Sequence, residues 1–90
     1  MNKDTLKLTP QSHKDIARLQ KVSVKLLGKI LLLIADIMEQ PFEGKGKPEP
    51  LKGDLAGCWS RRIDQKHRLI YKVEDEFVII ISCYGHYDDK

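Results

Sequence analysis

The chain has 90 residues, 41% apolar and 32% charged, with a formal net charge of +3, which predicts a single domain over residues 1–90 with one small core. Its longest apolar run, residues 30–35, is far short of the roughly 20 needed to span a bilayer, and "MNKDTLKL" lacks the apolar stretch of a signal peptide, so a cytoplasmic location without a membrane partner is expected. Two cysteines, Cys58 and Cys83, are too few for a disulfide framework and have no metal-ligand spacing, so both are expected to be reduced structural thiols.

In chain order, "LKLTP" (residues 6–10) reads as a short strand running into a helix. Thr9 suits the N-cap, and Pro10 suits the first helical position, where its missing N–H is not needed. The first helix runs to about Gln20 with Ile16 and Leu19 as its apolar contacts. A second begins near Val22 and carries Leu27, Ile30, Leu31, Ile34, Ile37 and Met38 at helical spacing, until Pro41 ends it. The pair predicts a helical hairpin. Residues 41–53, "PFEGKGKPEPLKG", have the composition of a surface connector. Yet they hold a lone acid, Glu49, between two prolines and among Lys45, Lys47 and Lys52. The period then changes to that of strands: "CWSRRID" (58–64), "HRLIYKV" (67–73) and "FVIIISCY" (77–84), joined by connections short enough for antiparallel hairpins. Five consecutive apolar residues, 77–81, predict that the last strand is central and buried on both faces. The fold class expected is α+β: a short N-terminal strand and a two-helix hairpin packed on one face of a small antiparallel sheet.

Charge is unevenly spread. Residues 45–72 carry 8 basic and 3 acidic side chains, whereas residues 73–90 carry 1 and 5. Such a patch suits a polyanion partner, most obviously nucleic acid. Alternation puts Arg62 with Ser60 on one face of its strand and Trp59 with Ile63 on the other; on the next strand Arg68 alternates with Leu69 and Tyr71. If the helices cover the Leu69/Tyr71 face, Arg62 and Arg68 share the open face. The loop bearing Lys47, Glu49 and Lys52 precedes this sheet, and His86 and Tyr87 follow its last strand. That set suits cleavage of RNA by its own 2′-hydroxyl: a carboxylate as base, His as acid, Arg and Lys on the phosphoryl oxygens, and an aromatic ring to hold a splayed base. No metal-ligand spacing links His13, His67 and His86. Trp59 and Tyr71 read as core, and His13 and His67 as structural or exposed. Taken singly, each charged residue reads more readily as a solvated surface group than as part of a site. Composition and spacing by themselves lead no further than a basic α+β domain suited to RNA.

The blocks "GKPEPLK", "WSRRI" and "HRLIY", with "HY" near the end, closely resemble the YoeB-type toxins of bacterial toxin–antitoxin modules, a branch of the RelE superfamily. The likeness covers residues 41–73 together with His86 and Tyr87. It implies two N-terminal helices on a small antiparallel sheet, and a ribosome-dependent endoribonuclease that cuts mRNA in the vacant A site without a metal or other cofactor. Carried over by residue, Glu49 of "KPEP" would be the general base. Lys52 of "PLK" and the second Arg of "SRR", Arg62, would contact phosphate, and Arg68 of "HRL" would stabilise the pentavalent phosphorus. His86 would be the general acid and Tyr87 a stacking or positioning residue, with Lys47 a further RNA contact. The implied partners are a YefM-like antitoxin, the ribosome with its 16S rRNA and A-site mRNA, operator DNA only through the antitoxin complex, and a second copy in a homodimer. The alternative is a catalytically degenerate homologue that binds antitoxin, operator or ribosome without cutting. Asp88 and Asp89, which continue the chain past "HY", favour it.

Overall fold

Thr9 is where sheet, helix and core meet in the computed structural model, which describes residues 5–85. β1 (Thr5–Leu8) ends beside it and α1 (Pro10–Val22) begins after it, with Pro10 at the helix start as expected. The Thr9 hydroxyl accepts the Ser12 backbone N–H at 3.1 Å and donates to the Ile81 carbonyl at 2.7 Å. One oxygen therefore caps the helix and ties its start to the last strand. Thr9→Val keeps the shape of the side chain but removes both bonds, so it is expected to cost about 2 kcal/mol in a urea unfolding titration. Ser23 makes the second joint: its N–H closes α1 on the Leu19 carbonyl at 2.8 Å, and its hydroxyl caps α2 (Val24–Glu39) by accepting the Leu26 N–H at 3.3 Å. A single residue thus turns the two helices into the expected hairpin.

The strands that follow are β2 (Glu49–Pro50), β3 (Trp59–Arg62), β4 (Arg68–Glu74) and β5 (Phe77–Ser82), in sheet order β1-β5-β4-β3-β2. Two expectations need correction. The sheet is mixed, because β1 pairs parallel with β5 while every other pair is antiparallel. β1 joins at the edge because the whole helical hairpin and the other strands intervene before β5 returns beside it. The central strand is β4, and β5 is buried on one side only. Val78 and Ile80 face the helices and are fully buried, whereas Phe77, Ile79 and Ile81 alternate onto a partly covered face. An unbroken apolar run here reflects alternation between a full core and a half-covered one.

Leu19, Ile30, Leu33, Ile34 and Ile37 of the helices pack on Ile63, Leu69, Tyr71, Val78 and Ile80 of the sheet. Leu31, expected among the apolar contacts, points outward at 59% exposure, and Leu33 takes its place at 1%. The buried stripe 30-33-34-37 follows the 3.6-residue period, but an apolar run from Ile30 to Ala35 blurs its phase in the sequence. On the opposite face a smaller cluster of Leu51, Cys58 and Ile70, flanked by Leu55 and Ile81, is closed by the chain between β2 and β3, which includes a short 3-10 turn, Gly53–Leu55. Cys58 and Cys83 are both buried and unpaired. Burial, with Asp15 nearby, pushes the Cys83 thiol up to about 12, which keeps it in the unreactive thiol form. Among the described residues no helix is long and apolar enough to cross a membrane.

Candidate nucleic-acid site on the open face

Strand register decides which charged side chains meet. Glu49 on β2 lies opposite Ser60 on β3, and Arg62 on β3 lies opposite Arg68 on β4. Ser60 and Arg62 are two residues apart and so share a face, the one away from the helices, because Trp59, Ile63, Leu69 and Tyr71 all belong to the helix-side core. Arg62 and Arg68 therefore share the open face, as the alternation predicted, and the pairing of β2 with β3 brings Glu49 to the same face. Lys52 is exposed at the entrance to the 3-10 turn, and Lys47 is exposed two residues before Glu49. Among the described residues no hydrogen bond or ion pair occupies the side chains of Lys47, Glu49, Lys52 or Arg62. His86 and Tyr87 lie outside the described residues.

Arg62 and Arg68 form a directly opposed pair of like charge. Side chains so placed have Cβ atoms only about 5 Å apart, an arrangement that costs stability. An anion between them would remove that cost. Arg68 is steadied on one side, since its Nη1 donates to the carbonyls of Asp64 at 3.0 Å and His67 at 3.3 Å. This fixes the guanidinium against the β3–β4 turn and leaves its Nη2 and Nε without a partner among the described residues. The turn itself is held by Asp64, whose Oδ1 accepts the Lys66 and His67 backbone N–H groups at 2.9 and 2.6 Å. Burial raises the Asp64 pKa, but these two N–H bonds outweigh it, so the carboxyl stays below its ordinary value.

A residue absent from the expected set organises the loop. Arg61, between Arg62 and Ser60, faces the helices and is fully buried. Its guanidinium donates to the Asp36 carboxylate at 2.5 Å, the Tyr71 hydroxyl at 3.1 Å, and the carbonyls of Lys45, Gln40 and Glu43 at 3.1, 2.7 and 2.9 Å. Tyr71 in turn donates to the Pro41 carbonyl at 2.7 Å. The segment from Gln40 to Lys45 is thus wrapped around one buried cation, and the Lys45 backbone is bonded on this inner side. The Arg62 N–H then holds the Gly46 carbonyl at 2.7 Å. Lys47 follows with a left-handed φ of +52°, a conformation uncommon outside glycine. Pro48 precedes and Pro50 follows Glu49, where the chain is extended. The signal for Arg61 was present: the alternation that sets Trp59 and Ile63 on the helix side puts the residue between them there too, and a buried Arg must find acceptors.

The end of the described chain is also pinned. His67, read as structural or exposed, is 95% buried in effect, with 5% of its surface exposed, and its Nδ1 accepts the Gly85 N–H at 2.8 Å. The Arg68 N–H donates to the Gly85 carbonyl at 3.1 Å. His13 is exposed on α1. Among the described residues no group of three or more His, Cys, Asp or Glu side chains could hold a metal ion.

A two-helix hairpin on one face of a five-stranded sheet is the architecture of the RelE-like toxins. The model of the family described as YoeB-like toxin of bacterial type II toxin-antitoxin system matches residues 8–87, and the chain belongs to that family. The matched span takes in all of the expected site residues. Toxin YoeB of Streptomyces coelicolor is 48% identical over 84 residues, covering 91% of this chain and 100% of that one. The YoeB dimer from Staphylococcus aureus superposes with a TM-score of 0.86 at 40% identity, covering 94% of this chain and 99% of that one. The heterotetrameric YoeB–YefM toxin–antitoxin complex from the same organism gives 0.83 at 40% identity, over 92% and 97%.

Proposed function

We propose that this type II toxin is an endoribonuclease that enters the ribosomal A site in the cytoplasm and cuts the mRNA there without a metal ion. The observation that carries this reading is the opposed pair of Arg62 and Arg68 on the face that also presents Glu49. Two cations so placed favour an anion between them, and a carboxylate on the neighbouring strand supplies a base at the same surface. Glu49 takes the proton of the 2′-hydroxyl, and the freed oxygen attacks the adjacent phosphorus in line. As the bond to the 5′-oxygen breaks, His86 gives that oxygen a proton, leaving a 2′,3′-cyclic phosphate and a 5′-hydroxyl. Arg68 neutralises the charge that builds on the phosphoryl oxygens. Arg62, Lys47 and Lys52 hold the flanking phosphates, and Tyr87 stacks on a displaced base.

The partners follow from this reading. A YefM-like antitoxin would cover the basic open face and bring the toxin to operator DNA only within their complex. The ribosome, through 16S rRNA and the A-site codon, supplies the substrate, and a homodimer resembles the one its Staphylococcus aureus relative forms. The test adds the purified chain, and an Arg68→Ala/His86→Ala double variant, to stalled ribosomes carrying a defined codon in the A site, and maps 5′ ends by primer extension. A cut inside that codon, made by the parent and lost in the variant, is the expected result. Binding to the same ribosomes with no cut would replace the nuclease reading with that of a non-cutting binder.

A further inference from the structure

We propose that His67 is a positioning residue that aims the chain at His86 through its hydrogen bond to the Gly85 backbone. This rests on the reading of His86 as general acid given above. Three consecutive residues ahead of His86 are each tied down. The Cys83 N–H donates to the buried Asp15 carboxylate at 3.0 Å. The Tyr84 ring packs against the His67 ring with centroids 4.8 Å apart, and the Arg18 guanidinium lies 4.2 Å over it. Gly85 donates its N–H to His67 Nδ1 at 2.8 Å and accepts the Arg68 N–H at 3.1 Å.

His67 is the member of this clamp that belongs to the same turn as the candidate catalytic face. Its own N–H is fixed by Asp64 at 2.6 Å, its ring is buried, and its neighbour in sequence is Arg68. Accepting at Nδ1 requires the neutral ring with its proton on Nε2. Gly85 sits at φ +77° with open space where a Cβ would be, so its backbone is soft by itself and its direction is set by the bonds at its N–H and C=O. Those two bonds run to adjacent residues, His67 and Arg68, and so fix the last described peptide to the residue read as the phosphate clamp. A misplacement of about 1 Å in an acid or base can cost roughly a hundredfold in rate, which is why a bond one residue away matters.

Two variants separate aim from fold. His67→Phe keeps a ring against Tyr84 and removes the acceptor, whereas His67→Asn gives up the ring but returns an oxygen near the Nδ1 position. Amide hydrogen exchange at Gly85, read by NMR on the free protein, is expected to be slow in the parent and in His67→Asn and fast in His67→Phe. Single-turnover cleavage on programmed ribosomes should fall tenfold or more in His67→Phe at unchanged ribosome affinity, with His67→Asn recovering most of it. Equal cleavage by His67→Phe and parent would overturn the positioning role, as would fast Gly85 exchange in the parent. If the parent itself made no cut, the nuclease reading would fall and the aiming role with it, while the exchange rates would still show whether the clamp exists.

Discussion

Asp36→Ala is expected to lower the stability of the fold by about 3–5 kcal/mol, the usual result of leaving one member of a buried ion pair without its partner. The guanidinium of Arg61 is fully buried and the Asp36 side chain 13% exposed, so the cation left behind keeps only neutral acceptors, the Tyr71 hydroxyl and three carbonyls. Arg61→Met is expected to cost less, about 1–3 kcal/mol. It removes the buried charge together with its bonds, and the carbonyls of Glu43 and Lys45, on exposed residues, can be rehydrated. The two variants differ in the opposite order for function, because Arg61 is what gathers the loop ahead of Lys47 and Glu49. Acid unfolding gives an independent check. The Lys45 backbone N–H, then the Gln40 amide, and further the Arg61 guanidinium lower the Asp36 pKa from 3.8 to about 2. A depressed carboxylate contributes stability that is complete above its unfolded pKa and lost as pH falls towards the folded one. Between about pH 4 and pH 2 the parent should therefore lose stability more steeply than Asp36→Ala, as measured by urea titrations at each pH.

Local signals in the sequence reached quite far because many of them agreed with one another. Thr9 and Pro10 marked the helix start, Pro41 lay just past its partner's end, and the hairpin connections set three antiparallel strands within a residue or two. Alternation on β3 and β4 was enough to bring Arg62 and Arg68 to one face. What stayed hidden depended on contacts distant in sequence. No local pattern says that β1 lies parallel to β5, since that pairing spans nearly the whole chain. Leu31 and Leu33 could not be told apart by periodicity inside a continuous apolar run. The loop of residues 41–53 read as a surface connector, yet its start is ordered by Arg61, whose acceptors Gln40, Glu43 and Lys45 precede it by sixteen residues or more. His67 looked inert for the same reason: its partner, Gly85, is eighteen residues away.

Glu49→Gln is expected to slow A-site cleavage by roughly a hundred- to ten-thousandfold, the range spanned by general acid–base catalysis, with folding stability within about 0.5 kcal/mol of the parent. The second half of that expectation gives the first its meaning. Glu49 is exposed on a two-residue edge strand and its carboxylate has no hydrogen bond or ion pair among the described residues, so the amide perturbs nothing that supports the fold. Arg68→Ala is less clean, since Arg68 also braces the β3–β4 turn through the Asp64 and His67 carbonyls, and part of any lost rate would come from the turn. Glu49→Gln also removes a negative charge from a basic face, so a residue that served only as a surface charge would leave RNA binding tighter and cleavage intact. A base would leave binding equal or tighter and cleavage nearly abolished. Ribosome affinity and single-turnover rate, measured on the same complexes, separate the two. Unchanged cleavage would remove Glu49 from the mechanism and shift the search for the base to a group that the RNA or the ribosome itself supplies.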